Sequence, residues 1–195
     1  MNTVHSFSGN VRTGRSGPEE GRNLLPIFHL FLALICSLCL ILLPFSQAAE
    51  EVKINAPAPD FTLSNLEGKG ISLSSLKGKV ALVAFWSIYC HVCRQEMPKL
   101  DTVYKKYKDK GLEVIGVAID QEPVETIQGE VRKDGLSFPI LLDGEKKMKK
   151  AYQVRAVPAT FLLDRNGVVM DKQVGVYNWS SPASEQLIEK LLKKK

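Results

Sequence analysis

The stretch from Lys79 to Cys93, KVALVAFWSIYCHVC, constrains the fold more than any other part of the chain. Lys79–Trp86 is a continuous apolar run of strand length, suited to a sheet covered on both faces. A helix is expected from about Cys90 to Asp109. Cys93, Met97, Leu100, Tyr104 and Tyr107 recur at spacings of four and three, which gives one inward stripe. Gly111 ends it. Leu112–Ile119 (LEVIGVAI) reads as a second buried strand, Pro123–Lys133 as a helix ended by Gly135, and Phe138–Leu142 as a short strand. Glu145–Tyr152 reads as a short helix. Pro158–Leu163 and Gly167–Val174 flank Asp164-Arg165-Asn166-Gly167, a hairpin signal. Ser181 caps a last helix with Pro182 in its first turn and Leu187, Ile188, Leu191 and Leu192 on one face. Ahead of all this, Ala56–Ser64 and Gly68–Ser75 read as a leading hairpin. The sum is an α/β fold with a mixed central sheet covered by helices.

The two cysteines carry the chemistry. Cys90-His91-Val92-Cys93 lies where the buried strand gives way to the helix. A helix N-terminus offers free N–H groups and partial positive charge, so it favours thiolate over thiol. The pKa of Cys90 is therefore expected below the free value of about 8.5. Cys90 is read as the exposed nucleophile and Cys93, one turn further and on the inward stripe, as the resolving thiol. His91 either adds positive charge or is simply solvated. A structural zinc site needs four ligands, and residues 49–195 contain no other cysteine and no other histidine. Haem attachment needs a histidine after the second cysteine, where Arg94 stands. Ser87 stands three residues before Cys90, as a peroxidatic cysteine would require, but the proline expected earlier in such a loop is missing. A plain structural disulfide would close too small a loop to add much stability.

The first part of the chain reads as an address. No formally charged residue occurs from Asn23 to Ala49, and Leu24–Phe45 is almost wholly apolar. Such a run reaches about 33 Å as a helix, enough to cross a bilayer. Arg12, Arg15 and Arg22 outnumber Glu19 and Glu20, which places the preceding segment in the cytoplasm and exports the rest. Ser46-Gln47-Ala48 has small residues where a signal peptidase needs them, so cleaved signal peptide and retained anchor are both open. Cys36 and Cys39 follow Ile35 and Leu38, which disfavours lipid attachment and leaves them as small apolar residues of a membrane helix. The expected organisation is residues 1–48 as this address and 49–195 as one domain. The lysine clusters at 105–110, at 146–150 and at the C-terminus lack interleaved aromatics, and read as solvated helix faces rather than a nucleic-acid footprint.

Several segments, in order, give the chain a resemblance. Ala58-Pro59-Asp60-Phe61-Thr62-Leu63, Gly78-Lys79-Val80, Phe85-Trp86 before Cys90-His91-Val92-Cys93, Glu96-Met97-Pro98, and Val157-Pro158-Ala159-Thr160-Phe161-Leu162-Leu163-Asp164 with Asn166-Gly167 resemble the TlpA/ResA-like branch of extracytoplasmic thiol-disulfide oxidoreductases. These are proteins of thioredoxin-like fold. The resemblance implies an N-terminal hairpin and an α/β insertion, here Gln121–Val154, before a cis-proline loop. It implies that Val157-Pro158 is cis and faces the cysteines, leaving the Val157 backbone to pair with an extended substrate. Trp86 and Val157 are thereby expected at the substrate-binding surface. Ala84 stands where cytosolic thioredoxins carry a buried acid, and Glu96 looks like its substitute. Glu96, on the flank of the stripe, could tune the thiolates or relay a proton to Cys93. Pro98 removes a hydrogen bond to the Arg94 carbonyl and should kink the helix, letting its first turn tilt. Glu122, Glu125 and Glu130 read as solvated.

The resemblance further implies a dithiol-disulfide exchange enzyme without metal or cofactor. It would act as a reductant of protein disulfides, for instance the haem-binding cysteine pair of apocytochrome c, and be re-reduced by a membrane thiol-electron donor. The periplasm, with the protein secreted or anchored by residues 24–45, is the implied location. Two alternatives stay open at the sequence level. One is a general disulfide oxidant or isomerase. The other is a non-enzymatic module that binds metal through the cysteine pair.

Overall fold

A computed structural model of the chain describes residues 52–194. The apolar run at 24–45, Cys36 and Cys39 lie outside the described residues. The elements follow the sequence pattern closely. Strands β1 (Thr62–Ser64) and β2 (Gly70–Ser72) form the leading hairpin, and a 3-10 turn, Leu73–Leu76, follows. Strand β3 (Val80–Trp86) leads into helix α1 (His91–Tyr107), and a second 3-10 turn, Lys108–Lys110, leads to β4 (Leu112–Ala118). Helix α2 (Val124–Lys133), strand β5 (Ile140–Leu142) and helix α3 (Lys147–Ala151) fill the insertion. Strands β6 (Ala159–Leu163) and β7 (Val169–Val174) form the second hairpin, and helix α4 (Pro182–Lys193) closes the domain.

The central sheet has the order β5-β4-β3-β6-β7. β3 pairs in parallel with β4, and β4 with β5, whereas β6 runs antiparallel to both β3 and β7. All seven residues of β3 are buried, as expected of a central strand packed on both faces. Alternate residues then feed two cores. Val80, Leu82, Ala84 and Trp86 face a layer that includes Cys93, Met97 and Leu100 of α1, Ile127 of α2 and Ile188 of α4. Ala81, Val83 and Phe85 face the other, with Phe61, Met148, Tyr152 and Phe161.

Helix ends obey local chemistry. Gly111 at φ 98 closes the 3-10 turn after α1, a backbone conformation costly for residues with a Cβ. Ser181 accepts a hydrogen bond from the Ser184 N–H and caps α4, with Pro182 behind it. The inward face of α1 is wider than one stripe: Glu96, Asp101 and Val103 are buried too, while Tyr104 is only half-buried and meets Phe138 edge-on at 6.1 Å. Helix α1 runs unbroken through Pro98, whose ring is exposed.

Candidate active site

The sheet ends its central strand at Trp86, and four residues later Cys90 occupies the N-cap of α1 with extended backbone. The cap geometry aims the Cys90 sulfur at the first helical amides. The Cys93 N–H donates to Cys90 Sγ at 3.2 Å. Cys90 and Cys93 are joined as a disulfide, with Cα atoms 5.2 Å apart. Cys90 is half-buried and Cys93 fully buried. An attacking partner can therefore reach only the outer sulfur. The amide at the helix start is placed to stabilise negative charge there on reduction.

The other expected residues fall around this pair. The Val157–Pro158 peptide bond is cis, and the Val157 carbonyl oxygen lies 3.8 Å from Cys90 Sγ. Val157 is half-buried and Pro158 buried. Tyr89 and Val92, both exposed, add apolar surface next to Cys90 in the chain. Trp86 is different. Its side chain is completely enclosed in the α1 layer, so it has no surface for the substrate contact expected of it. The last residue of a strand buried on both faces cannot also face outward, and Trp86 supports the site from below. His91 is exposed and its Nε2 sits 3.1 Å from the Gln95 amide nitrogen.

Glu96 is buried at 1% exposure, and neither of its oxygens meets a donor at normal hydrogen-bond distance and angle. Burial pushes its pKa up to about 7, against the weaker opposing pull of the Tyr177 backbone N–H and the Lys99 ammonium. It sits one turn beyond Cys93 on α1, a carboxyl able to hold or release a proton near neutrality in the same core layer. Ala84, on the adjoining strand, is buried without polar function.

A network unseen in the sequence holds the loop that carries Cys90. Ser87 donates its hydroxyl to Asp120 at 2.6 Å, the Ile88 N–H donates to the other oxygen of Asp120 at 3.1 Å, and the Tyr89 N–H donates to Ser87 Oγ at 3.2 Å. The Tyr89 hydroxyl donates to Glu122 at 2.8 Å, so Glu122 is not simply solvated as expected. Nor is Glu130. Arg94, immediately after Cys93, forks onto Asp134 at 2.8 and 3.1 Å and reaches Glu130 at 2.9 Å. These contacts tie the first turn of α1 to α2 and oppose the free tilt expected from Pro98. Glu125 is exposed, as expected. The one local signal for this network is that Asp120 directly follows the strand expected over Leu112–Ile119. Among the described residues no group of three or more His, Cys, Asp or Glu could hold a metal ion. No described helix is long and apolar enough to cross a membrane.

Comparison with known proteins agrees with this geometry. The pattern of the AhpC/TSA family matches residues 54–172. A protein from Bacillus thuringiensis (strain Al Hakam) named thiol-disulfide oxidoreductase ResA is 37% identical over 131 residues, 67% of this chain and 75% of its own. Among solved structures, the thioredoxin domain of a thiol-disulfide oxidoreductase from Bacteroides vulgatus superposes with a TM-score of 0.64 at 28% identity, covering 73% of this chain and 100% of that one. StoA from Bacillus subtilis gives a TM-score of 0.56 at 26% identity, covering 69% and 97%.

Proposed function

Given that the chain belongs to the AhpC/TSA family and is a thiol-disulfide oxidoreductase of thioredoxin-like fold, we propose that it reduces disulfides of exported proteins. The observation that carries this reading is the asymmetric pair: a half-exposed Cys90 at the cap of α1 and a buried Cys93 one turn inside. In the reduced protein, the Cys90 thiolate attacks one sulfur of a substrate disulfide. A mixed disulfide forms and the substrate's other sulfur leaves as a thiolate. The Cys93 thiolate then attacks Cys90 Sγ, releases the second substrate thiolate and restores the Cys90–Cys93 disulfide. Two electrons pass to the substrate. Glu96 takes the Cys93 proton as that sulfur becomes the nucleophile, and the Val157 backbone pairs with the substrate chain beside the reacting sulfurs.

The setting we propose is extracytoplasmic, in the periplasm, with residues 24–45 as signal peptide or membrane anchor and 49–195 as the catalytic domain. Apocytochrome c, which offers a cysteine pair for haem, is the proposed substrate, and a membrane thiol-electron donor restores the dithiol. No nucleic acid, metal or cofactor takes part. The commitment of the Ser87 hydroxyl to Asp120 counts against a peroxidase, in which that hydroxyl would serve the cysteine.

Two measurements test the proposal. The potential of the pair is expected near that of thioredoxin or below, about −270 mV, and a value near about −120 mV would make the protein an oxidant instead. Cys90→Ser abolishes exchange, whereas Cys93→Ser accumulates mixed disulfides with the native substrate, which mass spectrometry identifies. If neither variant traps a partner, the roles assigned to the two sulfurs are wrong.

A further inference from the structure

Two adjoining grooves lie beside the cis-proline loop, and both are basic. The nearer, about 330 Å³, is lined by Arg155, Ala156, Ala159, Lys172 and Val174 among others. Its lining flanks the cis-proline loop on both sides, with Val154, Arg155 and Ala156 before it and Ala159 after it. Arg155 is two residues from Val157, whose carbonyl touches Cys90, and Val174 is the register partner of Ala159, the residue after Pro158. The farther groove, about 440 Å³, shares Gln153, Val154 and Arg155 with the first and adds Lys146, Lys149 and Lys150.

The charge in these grooves is unbalanced. Lys146, Lys149, Lys150 and Arg155 form no ion pair among the described residues. The carboxylates near them are engaged elsewhere. Asp143 accepts the backbone N–H groups of Met148 and Lys149, Glu145 pairs with Lys147, and Asp171 receives the Lys172 N–H and the Gln173 amide. Lys172 itself lies over the Phe161 ring at 5.6 Å. By contrast, Arg94, Lys105 and Lys106 on α1 are paired, with Asp134 and Glu130, with Asp101, and with Glu185. Four cations converging on a concave surface repel one another unless an anion joins them.

We propose that this basic shelf docks an acidic stretch of the polypeptide whose disulfide Cys90 attacks. The inference rests on the exchange activity proposed above and names the class of substrate it prefers: a chain carrying Asp or Glu a few residues from its reactive cysteine. Two features favour a peptide segment over a lipid headgroup surface. The cations line recesses beside the cis-proline loop rather than a flat face, and α3 is a five-residue helix whose large apolar side chain, Met148, is buried rather than offered to a bilayer. No aromatic ring lines either groove, so a nucleic-acid strand would find no stacking platform.

The test uses the pre-reduced full chain and three synthetic peptides that share one disulfide, flanked by Glu, Gln or Lys. Low-salt kcat/KM is expected to fall in the order Glu, Gln, Lys, with about a tenfold spread from electrostatic steering, and the spread is expected to collapse as salt rises. The triple variant Lys149→Glu, Lys150→Glu, Arg155→Glu inverts the ratio of the Glu to the Lys peptide, a comparison that cancels any general change in rate. A neutral small disulfide, 2-hydroxyethyl disulfide, separates the two readings. Should the wild type fail to reduce it, the exchange activity falls. Should the wild type reduce it but treat the three peptides alike, the shelf inference falls while the exchange activity stands. Equal peptide rates combined with binding to phosphatidylglycerol vesicles that the triple variant loses would reassign the shelf to a membrane and overturn the proposal.

Discussion

At the scale of single residues, Glu96 sets the clearest pH behaviour. Burial holds its carboxyl near pKa 7 in the folded chain, against an ordinary 4.5. Between those values the folded chain binds more protons than the unfolded one, so stability declines as pH rises. The unfolding free energy is highest below about pH 4.5, declines to about pH 7 and then stays low as far as this group is concerned. Glu96→Gln should abolish most of that decline, a gain of about 2–3 kcal/mol at pH 8 and almost none at pH 4, read from urea unfolding at both pH values. The same substitution should remove an inflection near pH 7 from the rate at which Cys93 resolves a mixed disulfide. A stability gain without the kinetic change would leave Glu96 buried but outside the reaction. The acid was visible in the sequence because it flanks the stripe of α1 and sits where the family resemblance asked for a carboxyl. Its complete burial was not, since a single helical face does not reveal how many neighbours pack on the helix.

At the scale of elements, the loop from Ser87 to Tyr89 depends on the end of the neighbouring strand. β3 and β4 are parallel and in register up to Trp86 and Ala118, so the residues just beyond both strands meet, and Asp120 comes to face Ser87 and Ile88. Asp120→Ala leaves a hydroxyl and a backbone N–H without their acceptor, a loss of about 1–3 kcal/mol at a part-buried place. Its expected effect on chemistry is a higher pKa for the Cys90 thiol, because the sulfur loses its fixed approach to the Cys93 N–H. Iodoacetamide alkylation against pH reads this. Asp120→Asn, which keeps an acceptor, should stay close to wild type. If Asn instead lowers the thiol pKa and Ala does the same, the carboxylate acts by its charge and not by holding the loop. Strands, helices and both hairpins were legible from periodicity and turn residues, and the Cys90–Cys93 pair from its place between them. The polar ties were not. Ser87 and Asp120 are 33 residues apart, Arg94 and Asp134 are 40 apart, and no local pattern announces which surface carboxylate a fold will bring home.

Across the whole molecule, the sheet separates two tasks. One core layer contains Cys93, Glu96's helix and Trp86, while the other gathers Phe85, Tyr152 and Phe161 with ring centroids 5.1–5.9 Å apart. Phe161→Ala removes one ring of that aromatic cluster and should cost about 3–5 kcal/mol in denaturant unfolding. The alkylation pKa of Cys90 should not move, since the loss falls on the face away from α1. A parallel shift of that pKa would mean that the sheet transmits strain between its faces.

The guanidinium behind the inner cysteine adds a second tie within the α1 layer. Through Arg94 the reactive turn is hitched to α2, a helix that belongs to the insertion and lies far along the chain. Any rocking of the sulfurs must drag that helix or snap its bonds. A binder gripping α2 from outside therefore has leverage over a reaction it never touches, and a fluorophore placed there becomes a remote gauge of whether the pair is open or closed.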